Sequence, residues 1–72
     1  MRNGFIDDDR IRQKLMAELN RGGITRPQMA ERLGISRPFL SQFLTRARPH
    51  ASAEMLKALG YEPDHRYYRR VD

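Results

Sequence analysis

The chain has 72 residues, which is enough for one small domain. It contains no cysteine, so disulfides and thiolate metal ligands are excluded, and no apolar run approaches the ~20 residues that a membrane-spanning helix needs. The net charge is +5, and 12 of the 14 basic residues are arginine, which favours a polyanionic partner.

The positive charge is concentrated in the middle of the sequence. From Arg21 to Arg48 there are six arginines and a single acidic residue, Glu31, whereas three consecutive aspartates occupy positions 7–9. The polar and acidic stretch Met1–Asp9 does not fit a secretory signal peptide, so we expect a cytoplasmic protein. A solvated surface is the ordinary alternative explanation of such a charge distribution.

The first predicted helix runs from about Asp8 to Asn20. The aspartates at its start favour helix formation through capping and the helix dipole, and we prefer this interpretation to a metal site. Ile11, Leu15 and Leu19 recur every four residues and form one apolar stripe. Two glycines at positions 22 and 23 are suited to end the helix.

The second predicted helix runs from about Arg26 to Leu33. Thr25 is suited to the N-cap, and Gln28 follows three residues later, which is the spacing of a capping box. Pro27 lies in the first turn, where proline is tolerated. Three side chains are expected to face the core: Met29, Ala30 and Leu33.

The third predicted helix runs from about Arg37 to Arg46, with Ser36 as its N-cap and Pro38 in its first turn. The spacing i, i+3, i+4 places one set of side chains inside: Leu40, Phe43 and Leu44. A second, polar set is left outside: Arg37, Ser41, Gln42 and Thr45.

The C-terminal third of the sequence begins with Pro49, which interrupts the chain before a fourth predicted helix at about Ser52 to Leu59. Residues 61–72 lack helical periodicity, although His65–Val71 has the composition of a short strand. We therefore expect an all-α fold: a compact four-helix domain over residues 1–61, with residues 62–72 as a tail that contains at most one strand.

The second and third predicted helices are separated only by Gly34, Ile35 and Ser36. A short turn with glycine first packs two helices at a steep angle, and the small Ala30 allows the close crossing. Such small, glycine and apolar positions form the pattern of a helix-turn-helix, here over residues 25–46.

The stretch Ile24–Thr45, and in particular its segments AERLGIS and SRPFLSQ, resembles the phage repressor and Cro family of transcriptional regulators, also called the xenobiotic-response-element family. The resemblance covers about residues 8–61. It implies a lambda-repressor-like fold whose third helix enters the major groove of double-stranded DNA. The chain departs from the family pattern at Pro38, at Leu44, where a polar residue is frequent, and at Thr45-Arg46, where a glycine is usual nearby.

Given this resemblance, we expect Arg37 to contact guanine and Gln42 to contact adenine, with Pro38 and Ser41 as further base contacts. DNA backbone contacts are expected from polar side chains at the helix ends: Thr25, Arg26, Gln28, Ser36, Thr45, Arg46 and Arg48. The alternative for these residues is an ordinary exposed helix surface.

Neither catalysis nor a cofactor is indicated. His50 and His65 are far apart in a chain without cysteine, and their spacing is not that of a zinc site. No nucleophile has a matching base, and no phosphate-binding glycine loop occurs. We therefore expect no enzyme activity, no cofactor and no metal.

A dimer interface is expected in the tail. Tyr67, Tyr68 and Val71 are the candidate residues, either as strands paired across a two-fold axis or through packed tyrosines. A basic tail that touches DNA phosphates is the alternative.

The sequence thus predicts a sequence-specific transcriptional repressor that binds a pseudo-palindromic operator as a homodimer at the nucleoid of a bacterial host. Phage- or plasmid-borne Cro-like control proteins act in this way. One alternative is an antitoxin that uses the same fold and also binds a toxin protein. A second is an adaptor that binds proteins and no DNA.

Overall fold

Four helices and a three-stranded sheet make up the protein, which a computed structural model describes over residues 5–64 and 67–71. The helices are α1 (Asp8–Arg21), α2 (Arg26–Leu33), α3 (Arg37–Leu44) and α4 (Ala53–Leu59). The strands are β1 (Phe5–Ile6), β2 (Tyr61–Asp64) and β3 (Tyr67–Arg70). The sheet is antiparallel, and β3 is its central strand.

Each helix begins after a residue whose side chain accepts a hydrogen bond from a backbone N–H three positions further on: Asp7, Thr25, Ser36 and Ser52. At α2 the capping box is complete, because the Thr25 N–H also donates to Gln28 Oε1 at 2.9 Å. Caps of this kind stabilise a helix by about 1 kcal/mol. The four predicted helices are therefore confirmed, with boundaries that differ by at most two residues.

The largest boundary difference is at the end of α3, which stops at Leu44 and not at Arg46. Thr45 leaves the helical conformation, and Arg46 is left-handed with φ of 70°. The Phe43 carbonyl accepts the Arg46 N–H at 3.2 Å and, in addition, Nε of Arg12 at 2.6 Å. The Arg46 N–H thus bonds to the carbonyl three residues back and not four, so the α-helical pattern ends here.

The sequence predicted at most one strand and no sheet, whereas the structure has three paired strands. Ile6 lies opposite Tyr68, and β2 pairs with β3 along its whole length, from Tyr61 opposite Arg70 onwards. The described part of the chain is mostly helical, but the all-α prediction is too narrow. Of the predicted strand at 65–71, residues 67–70 form β3, while residues 65 and 66 lie outside the described residues.

The core is formed where the helices meet. Its largest fully buried side chains come from all four helices: Phe43, Ile11, Met29, Leu40 and Met55. Burying a side chain of this size contributes about 1.5–3 kcal/mol. The turn between α2 and α3 is tight, since Gly34 is left-handed with φ of 71° and the Ile35 N–H donates back to the Ala30 carbonyl at 3.0 Å.

Arg12 is the one charged side chain that is buried among the described residues, with 7% of its surface exposed. Its guanidinium donates to the carbonyls of Phe43 at 2.6 Å, Pro49 at 2.8 Å and Arg48 at 3.1 Å. It also pairs with Asp9 Oδ1 at 2.7 Å. One side chain of α1 therefore holds both the end of α3 and the loop that follows it.

Asp8 links α1 to the sheet and to the same loop. Its Oδ1 accepts the Ala51 N–H at 2.9 Å and the Tyr68 hydroxyl at 2.6 Å, and its Oδ2 lies 3.0 Å from His50 Nδ1. Partial burial raises the pKa of the Asp8 carboxyl, but these hydrogen bonds outweigh it, so the net pKa is lowered. Partial burial and the contact with Asp8 raise the pKa of Tyr68 to about 12.

Arg12→Ala is expected to lower the free energy of unfolding by about 2–4 kcal/mol, because three backbone carbonyls lose their buried donor. Arg10→Ala is the matched control, since Arg10 is exposed on the same helix and its loss should change stability by no more than about 0.5 kcal/mol. Urea unfolding followed by circular dichroism measures both variants. Equal stabilities would contradict the role assigned to Arg12.

Candidate nucleic-acid interface

The helices α2 and α3 begin in the same way, with an arginine followed by a proline. Arg26 and Arg37 are exposed, and neither forms an ion pair or hydrogen bond within the described part of the chain. Neither first turn contains an acidic residue, whereas α1 begins with two aspartates. An arginine at the positive end of a helix dipole is unfavourable by itself, so both helix starts favour an external anion.

The two helix starts open onto one surface. A shallow groove between α2 and α3 is lined by residues from both helices and from their turn: Pro27, Ala30, Glu31, Ile35 and Arg37. Pro27 belongs to the first turn of α2, and Arg37 is the first residue of α3. The three-residue turn therefore brings the start of α3 next to the first turn of α2, at a groove that Glu31 also lines.

The α3 outer face, defined as Arg37, Pro38, Ser41 and Gln42, carries the predicted base contacts. All four side chains are exposed, and the spacing of three and four positions places them along one side of the helix. The opposite side of α3 is buried through Leu40 and Phe43. The helix thus combines an apolar inner side with a polar outer face.

Three of the predicted phosphate-binding side chains also cap helices. Thr25 and Gln28 form the capping box of α2, and Ser36 Oγ accepts the Phe39 N–H at 3.2 Å. In each case the cap uses an oxygen as acceptor. The two hydroxyl protons and the Gln28 amide hydrogens are left to donate to a phosphate.

The two predicted phosphate-binding arginines after α3 lie in different surroundings. Arg46 is exposed, and its guanidinium lies 3.2 Å from Asp9 Oδ1. Arg48 folds back onto α3, where its Nε donates to Gln42 Oε1 at 2.8 Å. Thr45 stays beside them, and its hydroxyl donates to the Gln42 carbonyl at 3.3 Å.

Sequence reasoning missed the contact between Arg48 and Gln42, and it also missed Arg12. The two partners of the first contact are six residues apart across the end of a helix, a separation that no periodic pattern indicates. Arg12 lies one position after the apolar residue Ile11 and resembles any surface arginine in the sequence. Arg32 of α2 lies 3.8 Å from Glu18 of α1, an ion pair that likewise joins residues far apart in sequence.

The predicted dimer residues divide into two groups. Tyr67 and Val71 are each 50% exposed, whereas Tyr68 is half-buried with its hydroxyl bound to Asp8. Both edges of β3 are already paired, with β1 and β2. Within the described residues, β1 covers Tyr68 and Arg69 on one edge of β3 and β2 covers the whole of the other edge, so β3 is not available as an open edge strand for a second copy. Contact through side chains is the predicted mode that remains open to this strand.

No family model matches the chain, and no curated protein or solved structure matches it either. Over residues 5–64 and 67–71, no helix combines the length and apolar composition needed to cross a membrane. Within the same ranges, no three histidine or acidic side chains are grouped as a metal ion would require.

Arg46 offers a direct test of the loop after α3. Arg46→Gly should be more stable than Arg46→Ala by about 1 kcal/mol, because the left-handed conformation strains any residue that carries a Cβ. Both variants lose the ion pair with Asp9, so their difference isolates the backbone. Thermal unfolding measures it, and equal melting temperatures would mean that residue 46 is not left-handed in solution.

Proposed function

We propose that the protein is a sequence-specific DNA-binding transcriptional regulator that places α3 in the major groove and acts as a repressor. One observation carries the proposal: two helices joined by a three-residue turn each begin with an exposed arginine and without an acidic residue. DNA is the polyanion that such a pair of helix starts fits, because it offers phosphates and base edges within one surface.

The α3 outer face suits base recognition. An α-helix fits the major groove of B-DNA, where each base pair shows a distinct set of donors and acceptors. Arg37 donates to guanine O6 and N7, and Ser41 and the ring of Pro38 contact neighbouring bases. The resemblance to the phage repressor and Cro family gives this helix the same role and supports a lambda-repressor-like arrangement of the four helices.

The start of α2 suits a phosphate. The backbone N–H groups at a helix N-terminus already favour an anion, and Arg26 adds a full positive charge there. The Thr25 hydroxyl and the Gln28 amide add two more donors. These contacts fix the position of α3 in the groove and carry no sequence information themselves.

A homodimer gives the protein a second reading helix. The exposed side of the sheet, which we call the outer sheet face, consists of residues that share one face through their register: Phe5, Glu62, Asp64, Tyr67 and Arg69. Phe5 and Tyr67 are 55% and 50% exposed, and Arg69 pairs with both Glu62 and Asp64. A patch with apolar side chains and both signs of charge is self-complementary about a two-fold axis.

Arg37→Ala should weaken binding to the preferred DNA site by about 1–3 kcal/mol and relax the preference at one base pair, because a bidentate guanine contact is lost. Lys57→Ala is the control with the same change in charge, since Lys57 is exposed on α4. Sites are first selected from random duplexes, and affinities are then measured by fluorescence anisotropy. Equal affinities and preferences of the two variants would contradict the proposed role of α3.

Tyr67→Glu should convert the dimer to a monomer, because it places two like charges close to the two-fold axis. Met16→Glu is the control, since Met16 is an exposed apolar side chain on α1. Sedimentation equilibrium at micromolar concentration measures both variants. A wild-type monomer, or a Tyr67→Glu variant that remains a dimer, would exclude the outer sheet face as the interface.

A further inference from the structure

The side chain of Arg48 lies on the outer side of α3 and does not extend away from the loop. Its Nε donates to Gln42 Oε1 at 2.8 Å, and its guanidinium carbon lies 5.0 Å from the centre of the Phe39 ring. Phe39 and Gln42 are three positions apart on α3, so they are neighbours on its surface. The planar guanidinium therefore has a hydrogen bond at one side and an aromatic ring below it.

The backbone of Arg48 is held as well. Its N–H donates to the Gln42 carbonyl at 3.0 Å, and its carbonyl accepts Nη2 of the buried Arg12 at 3.1 Å. A long side chain on a free loop loses much rotamer entropy when it binds a ligand. Because the backbone of Arg48 is held and its side chain contacts Gln42 and Phe39, much of that ordering is complete before any DNA arrives.

The contact also fixes the orientation of the Gln42 carboxamide. An arginine side chain carries donors only, so the atom of Gln42 that faces it must be the oxygen, Oε1. The Gln42 NH₂ group then lies on the other branch of the amide and is left to donate. Gln42 and Arg48 together therefore offer N–H donors to a ligand at the α3 outer face.

These donors bear on which base Gln42 can recognise. Glutamine reads adenine by accepting from N6 and donating to N7, so Oε1 would have to accept a second hydrogen bond beside the one from Arg48. Guanine presents two acceptors in the major groove, O6 and N7, and no donor. The Gln42 NH₂ group and the Arg48 guanidinium next to it supply two donors, which match the two acceptors of guanine. The N6–H donor of adenine would have to reach Oε1 beside the donors of Arg48, which oppose it, so the pair disfavours adenine.

We propose that Arg48 is a specificity-determining residue that sets Gln42 to read guanine. This inference rests on the proposed DNA-binding function and names the base class that one position of the site selects. It replaces two expectations from the sequence: Gln42 as an adenine contact and Arg48 as a phosphate contact.

Loss of a phosphate contact and loss of a specificity-determining contact have different effects on DNA binding. Loss of a phosphate contact weakens binding to every sequence and reduces the salt dependence of binding by about one counterion. Loss of Arg48 in the proposed role frees Gln42 Oε1, so the preference at one position moves from guanine to adenine. At the site that the wild type prefers, affinity should fall about 5- to 150-fold.

The test is site selection from a random duplex library by the wild type, Arg48→Ala and Arg46→Gly. Arg46→Gly is the matched control, because it removes one charge from the same loop and Arg46 has no contact with Gln42. We expect guanine at one position for the wild type and for Arg46→Gly, and adenine at that position for Arg48→Ala. Circular dichroism checks that each variant is folded.

A Gln42→Ala and Arg48→Ala double-mutant cycle on the guanine site gives a second readout. The two losses should be less than additive, because each variant alone already destroys the shared contact. Unchanged guanine preference in a folded Arg48→Ala variant, or additive losses, would overturn the inference and leave the proposed function intact. A wild type that enriches no sequence would overturn both.

Discussion

The hydrogen bonds of one buried guanidinium, that of Arg12, hold the end of α3 and the loop that follows it. They join α1 to one carbonyl of α3, that of Phe43, and to two carbonyls of the loop beyond, across more than 30 positions of sequence. The guanidinium carbon also lies 4.5 Å from the centre of the buried Phe43 ring. A buried charge is tolerated only when its donors are used, and here they are used to hold backbone. The position of α3 therefore depends on a residue that is itself buried.

The three aspartates at the start of α1 complete this arrangement, each with a different role. Asp7 caps the helix, Asp8 binds the loop and the central strand of the sheet, and Asp9 pairs with Arg12 and with Arg46. Local capping accounts for the first role only. The contacts of Asp8 and Asp9 join the acidic start of α1 to the basic loop after α3. The acidic and the basic segments of the sequence are therefore in contact in the folded protein.

Features with short-range causes could be predicted from the sequence, and those with long-range causes could not. The caps at Thr25 and Ser36 depend on residues three positions apart, and they lie at the predicted positions. The sheet depends on pairing between the two ends of the chain, and its strands carry weak signals: β1 has two residues, and β2 contains Pro63. The exposed polar face of α3 follows from helical spacing of three and four positions and could be predicted. The contact between Arg48 and Gln42 depends on how the chain turns after the helix and could not.

We propose that DNA binds the surface formed by the start of α2 and the α3 outer face. The most direct measurement is a titration of the ¹⁵N-labelled protein with a selected duplex, followed by amide chemical shifts. The predicted result is a set of changes concentrated at the start of α2 and along α3: Arg26, Gln28, Arg37, Ser41 and Gln42. The exposed residues of α4 should change little. Changes confined to the sheet, or no changes at DNA concentrations that saturate known helix-turn-helix proteins, would contradict the proposal.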